Sequence, residues 1–313
     1  MNDDFEVIRI LNSGTFGYVS IVRRISTNVY YCRKSLSKRD LIQTNKVNDA
    51  RKEKKLLGSL RFAFTIHLKH FYHDSCCLHF ILPLLVGGDL FGYLKTHGRL
   101  HERLTKFIAA QILLALEYLH IIGLIHRDLK LESILIDHEG YVKITNFGMC
   151  KLINHNRTYT ICGTAEYMAP EVIANKGYGL AADWWSFGIL IYELCNGLTP
   201  FFADETIQIF NLIAHCDYAI PVHFSSTLSD LITKLLQPDL TKRFGNLQKG
   251  VEDIKNHFWF RDMPWLSIIN KDIISPMIPF IADKSDMQFF APTPEPSFVV
   301  DNIDLFTNEF QNF

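Results

Sequence analysis

The chain has 313 residues, enough for two lobes around a sizeable core. Hydrophobic residues make up 48% and charged residues 21%, the balance of a globular protein rather than a disordered one. A formal net charge of -1 supplies no global basic field, so neither nucleic acid nor an anionic membrane is expected as a partner.

Residues 1–11, MNDDFEVIRIL, are acidic, lack an apolar signal core and have no Gly after Met1. Seven scattered cysteines form no C-x-x-C pair, although Cys76 and Cys77 are adjacent; free thiols are expected, and with them a cytoplasmic or nuclear location. Residues 5–36 are rich in β-branched and aromatic side chains around a glycine-containing turn at 11–18, which predicts antiparallel strands. Residues 45–60 carry apolar positions at helical spacing, and strand character resumes at 68–85. From Leu100 onward helical patterns dominate. The longest apolar stretch, 112–125, is broken by Glu117 and His120 and predicts a buried helix rather than a membrane span. A β-rich small lobe (about 5–84) before an α-rich large lobe (about 86–260) is an α+β, bilobal organisation. After about Phe260, SPMIPF and APTPEPSF predict an extended tail, 261–313.

Several short runs carry chemistry. NSGTFGYV (12–19) lies between two strand patterns, and its glycines let backbone N–H groups approach a phosphate; a plain hairpin fits the same residues. Lys34 falls on the third strand pattern and Glu53 on the next helix, a pairing that would hold the ammonium as a fixed charge. The RKEKK run around Glu53 also reads as a solvated helix face. LIHRDLKLES (124–133) is the most specific run: Asp128 can accept a hydroxyl proton and Lys130 can balance charge on a phosphoryl group. Eighteen residues after Asp128 comes Asn146-Phe147-Gly148, and then GTAEYMAPE. HLKHFYH (67–73) offers histidines for metal or nucleic acid, but on a strand such residues are ordinary packing or surface groups.

In this order the motifs resemble those of a eukaryotic protein kinase. FFADETIQIF, LTKRFGN, GVEDIKNHFWF and the terminal FQNF are similar to the AGC group and its cAMP-dependent catalytic subunits. The resemblance implies the kinase fold, ATP and Mg²⁺ as cofactors, a protein substrate with basic residues before Ser or Thr, and a cAMP-binding regulatory subunit as a partner. It implies that Leu11, Asn12, Gly14, Gly17 and Val19 cover ATP, that Cys32, Val19 and Leu135 flank adenine, and that the Pro83 and Leu85 backbones meet its edge. Lys34 with Glu53 would contact phosphates and Asp89 the ribose. Asp128 would be the proton acceptor, with Lys130 beside it. Leu57, Leu68, His126 and Phe147 would form a packed column anchored by Asp183, and Glu171 would pair with Arg243. Thr160 matches the activation-loop phosphosite, with Arg127 and Lys151 as basic partners. Asp89, Glu132 and Glu193 would receive substrate arginines, and Ile161, Ala165 and Met168 would line the pocket for the next residue. The FQNF aromatics would dock on the small lobe, Asp301 would supply negative charge, and Phe289 or Phe290 would help cover ATP.

Two positions depart from the pattern. Where the family holds magnesium with the Asp of D-F-G and with an Asn five residues after the catalytic Asp, this chain has Asn146 and Ser133. Neither is a carboxylate, and magnesium prefers charged oxygen ligands. Smaller departures are Asn12 for the first loop glycine, Cys32 for a smaller residue over adenine, and Asp49 where a phosphate-binding His would stand. Two functions are therefore expected: a Ser/Thr kinase with strongly impaired transfer, or a pseudokinase acting as a partner-binding module or decoy.

Overall fold

A computed structural model describes residues 4–14, 16–153, 156–279, 306–310 and 313. Thr15, Phe289, Phe290, Asp301 and the APTPEPSF run lie outside them. The chain divides into two compact units, 1–88 with 279–313 and 89–278.

The first unit is a five-stranded antiparallel sheet with helices. Strands β1 (Phe5–Gly14), β2 (Gly17–Arg24) and β3 (Val29–Ser37) follow one another by short turns. Gly14 faces Gly17 at the first turn. A Cβ on Gly17 would come within 1.8 Å of the Ser35 carbonyl oxygen, so only glycine lets β2 lie this close to the strand that carries Lys34. A short helix, α1 (Lys38–Gln43), is capped by the Ser37 hydroxyl accepting from the Asp40 amide. Helix α2 (Val47–Ser59) matches the expected 45–60 span and buries Ala50, Glu53 and Leu57 along one face. Strands β4 (His70–His73) and β5 (Cys77–Pro83) complete the order β1-β2-β3-β5-β4.

The second unit is mainly helical. Helix α3 (Leu90–His97) begins ten residues before the predicted helical region, on the cap supplied by Asp89. Helix α4 (Glu102–Ile121) is long and apolar enough to cross a membrane, but its side chains from Phe107 to Leu116 are buried within this unit. After it come the short strands β6 (Leu124–Ile125), β7 (Ile134–Ile136), β8 (Val142–Ile144) and β9 (Lys151–Leu152). β7 and β8 form a hairpin, and β6 pairs with β9. Helices α5 (Pro170–Ile173), α6 (Ala181–Asn196), α7 (Thr206–His215), α8 (Ser226–Leu235), α9 (Glu252–Lys255) and α10 (Trp265–Ile269) follow.

Helix α6 is the core element. Every residue from Ala181 to Cys195 is buried, including Phe187, Ile189, Leu190, Ile191 and Leu194 at 0% exposure. Burying each such side chain contributes about 1.5–3 kcal/mol. Arg243 is fully buried beside this helix. It donates two parallel bonds to Glu171, at 2.7 and 2.9 Å, and further bonds to the Ala181 and Gln237 carbonyls.

Residues 261–278 do not form the extended tail that their prolines predict. Lys271 bridges Asp137 at 2.6 Å and Glu139 at 2.7 Å, the Ser275 hydroxyl donates to the Gly140 carbonyl, and Ile268 and Met277 are buried. Burial of these apolar groups overrides the local loop composition. The last described helix, α11 (Thr307–Phe310), belongs to the first unit. There Phe310 is fully buried, and Phe313 stacks on Phe71 at 6.0 Å beneath the Arg51 guanidinium, so the terminal aromatic pair docks as its sequence predicts.

Arg243→Met should leave the buried Glu171 carboxylate uncompensated. The expected loss in urea denaturation is about 3–5 kcal/mol; a loss below 1 kcal/mol would show that the pair does not brace this unit.

Candidate active site

In the first unit, antiparallel pairing places Val19 opposite Lys34, and Cys32 lies two residues from Lys34 on the same face. Lys34 Nζ meets Glu53 Oε1 at 2.6 Å, and Glu53 is only 6% exposed. A strand and a helix thus fix one ammonium, as predicted. Burial pushes the Cys32 thiol up to about 12 even with Lys34 nearby, so it stays a neutral packing group. Asn12 is extended strand, paired with Val19 and without a positive φ, so the left-handed tolerance of asparagine is not used there. Leu11 precedes it in β1, Pro83 closes β5 opposite Tyr31, and Leu85 is buried just beyond. Asp49, in the first turn of α2, is engaged by Lys46 at 3.0 Å and Lys52 at 3.6 Å. Leu57 is buried, and its carbonyl accepts the Leu68 amide at 2.9 Å.

The second unit gathers the remaining predicted residues. Asp89 caps α3 through the Gly92 amide at 2.7 Å and bridges to Leu135 on β7. The β7–β8 hairpin brings Ser133, at its start, alongside Thr145, and so places Asn146 beside the 126–130 loop. That loop is anchored from below by Asp183. The Asp183 carboxylate accepts the His126 amide at 2.9 Å, the Arg127 amide at 3.0 Å and His120 Nε2 at 2.8 Å. Burial alone would raise this carboxyl, but these bonds outweigh it and hold it below the usual carboxylate range. They also hold Arg127 at φ +71°, a left-handed conformation costly for a long side chain. The His126 ring meets Phe147 edge-on at 5.6 Å.

Asp128 stands at the centre and is 9% exposed. Asn146 Nδ2 donates to its Oδ2 at 3.1 Å, and the Thr164 hydroxyl donates to its Oδ1 at 3.0 Å. Lys130 Nζ donates to Thr164 Oγ1 at 2.8 Å and lies 4.0 Å from Asp128. The Ser133 hydroxyl donates to the Lys130 carbonyl at 2.8 Å and accepts the Lys130 amide at 3.0 Å. Asp128 is the one carboxylate in this constellation. Thr164 is the member that sequence reasoning missed; its signal was the hydroxyl beside Gly163, whose Cβ would strike the Arg127 carbonyl at 2.7 Å.

Around the activation segment, Lys151 Nζ bonds the Thr158 hydroxyl at 3.1 Å rather than Thr160. Thr160 is exposed, and its carbonyl accepts the Tyr178 hydroxyl at 2.6 Å. Arg127 spends Nε on the Met149 carbonyl, while its buried Nη1 has no hydrogen-bond partner among the described residues. Ile161 is 55% exposed, with Ala165 and Met168 following in the same segment. Glu132 is exposed; Glu193 is buried and accepts the Tyr167 hydroxyl. Glu166, absent from the predicted acids, accepts from Thr199 at 2.7 Å and acts on Glu193 through its charge. Among the described residues no group of three or more His, Cys, Asp or Glu is arranged to hold a metal ion, and His70 packs against Phe5 and Tyr31.

A strand lysine tied to a helix glutamate in one unit, and an H-R-D loop seated on a buried aspartate in the other, are the working parts of a protein kinase. A protein kinase domain model matches residues 5–260, and the chain belongs to that family. It is 41% identical over 283 residues to cAMP-dependent protein kinase catalytic subunit 2 of Drosophila melanogaster, covering 90% of this chain and 80% of that one. It is 40% identical over 292 residues to cAMP-dependent protein kinase catalytic subunit PRKX of Mus musculus, covering 93% and 82%. Against cAMP-dependent protein kinase type 3 of Saccharomyces cerevisiae it is 38% identical over 296 residues, covering 94% and 74%. These relatives place it with the cAMP-dependent kinases of the AGC group.

Burial pushes the Glu193 carboxyl from its ordinary 4.5 up to about 7; the Tyr167 hydrogen bond opposes the rise, and the charges of Glu132 and Glu166 add to it. Between those values the folded chain keeps a proton that the unfolded chain releases. The stabilisation from this group is therefore complete below pH 4.5 and is lost as pH rises through 7. Urea denaturation between about pH 5 and pH 8 should show wild type falling relative to Glu193→Gln by on the order of 2 kcal/mol. Parallel pH curves would exclude the raised carboxyl.

Proposed function

We propose that the chain is a cAMP-dependent-like serine/threonine kinase homologue that binds ATP and a basic peptide segment and transfers the γ-phosphate slowly. Lys34, held by Glu53, contacts the α- and β-phosphates. Leu11, Asn12, Gly14, Gly17, Val19, Cys32, Pro83, Leu85 and Leu135 receive the nucleotide, and Asp89 meets its ribose. Asp128 orients the substrate hydroxyl and accepts its proton, while Lys130 balances charge on the moving group. Asp89, Glu132 and Glu193 receive arginines that precede the phosphoacceptor, and the charge of Glu166 acts beside Glu193. Residues 5–260 are the catalytic domain and 261–313 an AGC-type tail, with Thr160 the phosphosite. The location is cytoplasmic or nuclear.

The observation that carries slow transfer is the hydrogen bond from the Asn146 amide to Asp128. In this family Mg²⁺ supplies charge neutralisation for the phosphates when bound. The donor set here is poor for it: Asn146 is neutral and turns N–H toward Asp128, and the Ser133 hydroxyl is occupied by the Lys130 backbone. At an effective dielectric of about 20, removing a unit charge from beside a dication costs several kcal/mol. Each ~1.4 kcal/mol lost from the transition state is about tenfold in rate, so slowing on the order of 10³-fold is expected.

A second reading, a pseudokinase that acts as a partner-binding module or decoy for a cAMP-binding regulatory subunit, is favoured by the acidic group at Glu132, Glu166 and Glu193. That group can hold a basic segment whatever the state of the chemistry. Single-turnover transfer to an Arg-rich Ser peptide, with Mg²⁺ and then Mn²⁺, separates the two. Wild type is expected above Asp128→Ala and roughly 10³-fold below Asn146→Asp/Ser133→Asn. Equality with Asp128→Ala would leave the pseudokinase reading; equality with the double variant would remove the impairment.

A further inference from the structure

The large unit balances the charge at Asp128 with its own side chains. Both carboxylate oxygens are occupied, Oδ2 by Asn146 Nδ2 at 3.1 Å and Oδ1 by the Thr164 hydroxyl at 3.0 Å. The Lys130 ammonium, 4.0 Å away and bonded to the same Thr164, cancels the single negative charge. The direction of the amide is set by chemistry: an ionised carboxylate only accepts, so Asn146 must present its N–H to it. The backbone favours the same arrangement, because Asn146 is at φ 61° and ψ 56°, a left-handed conformation that asparagine takes more readily than most residues. Ser133 is 1% exposed, and its hydroxyl donates to and accepts from the Lys130 backbone.

A divalent cation at this place would find one carboxylate and a nearby ammonium. To reach an amide oxygen it would have to turn Asn146 over, which removes the N–H from Asp128 and sets an oxygen lone pair against it. The residues present therefore do not fit the family's metal. We infer that this chain takes ATP as the metal-free anion, so that its affinity for ATP does not depend on a divalent cation. The inference rests on the nucleotide-binding reading above and specifies the form in which the nucleotide arrives. The negative charge of the triphosphate is then countered by a lysine of the chain, Lys34, which Glu53 holds in place. Chelation by Mg²⁺ lowers the charge that lysine attracts and offers no carboxylate pair in return.

Calorimetric titration of the full chain with ATP, once in EDTA and once in excess Mg²⁺, tests this directly. Wild type should bind in EDTA within about threefold of its affinity in Mg²⁺, or more tightly. Asn146→Asp/Ser133→Asn, which restores a carboxylate pair, should bind at least about tenfold more tightly with Mg²⁺ than without. Tenfold tightening of wild type by Mg²⁺, or absence of binding in EDTA, overturns the inference. A double variant indifferent to Mg²⁺ overturns the assignment of metal dependence to these two positions. Binding and turnover are separate readouts: rapid transfer by wild type sinks the slow-kinase reading, whereas a Mg²⁺-dependent dissociation constant sinks this one.

Discussion

Asp183 carries an ionised carboxyl in the interior of the large unit, and the backbone amides of His126 and Arg127 are bonded to it. A buried anion is tolerated only when its oxygens are satisfied, and here two amides and an imidazole do so. The energy of that arrangement is directional. It holds the chain at residue 127 in a strained left-handed conformation, and this turn sets Asp128 against Asn146 and Thr164 while His126 packs on Phe147. Asp183 sits in the first turn of α6, the most completely buried helix, so the loop inherits the rigidity of the core. The Glu171–Arg243 pair ties the segment after the activation loop to the same helix, through the Ala181 carbonyl.

The small unit solves a different problem with the same economy. A lone lysine on a strand would wave in solvent. Lys34 is instead fixed by a glutamate whose helix buries that face, and Gly17 lets β2 lie against the backbone of the next strand. The terminal aromatics then cover the outer side of the helix and β4, where Arg51, Lys54 and Lys38 lie over aromatic rings. A cation set over an aromatic face is attracted by the ring's π electrons, which is how this basic surface receives phenylalanine.

Much of this was legible in the sequence. β-Branched and aromatic residues around a glycine-containing turn marked the strands, and the long apolar run of α4 declared itself by its length. Lys34, Glu53, Asp128 and Asp183 could be placed from motif order. What could not be read depended on distant partners. Thr164 lies 36 residues from Asp128, and no local pattern joins them. Residues 261–278 look like tail because they lead into the proline-containing runs SPMIPF and APTPEPSF, yet Lys271, Ser275 and Met277 find partners on the β7–β8 hairpin, more than a hundred residues earlier. The bond from Lys151 to the Thr158 hydroxyl, seven residues away, is likewise unmarked by any local pattern. Helix α1 escaped notice because six residues are too few to show a period, and its cap at Ser37 is the one local sign.

The same limit applies to Asn146. From sequence it is the loss of a carboxylate; in three dimensions it is also the gain of a donor. A pair of carboxylates at positions 128 and 146 would repel unless a cation lay between them. Replacing one by an amide of nearly the same shape removes the repulsion and the need for the cation together. Alanine would have removed only the charge, leaving an Asp128 oxygen without its partner and giving up asparagine's ease in the left-handed turn. Asparagine keeps the turn, keeps Phe147 in its place against His126, and satisfies Asp128 from within the chain. The loop around Asp128 is thereby satisfied by side chains of the unit itself, with Asn146 and Ser133 standing where the resemblance implies metal ligands.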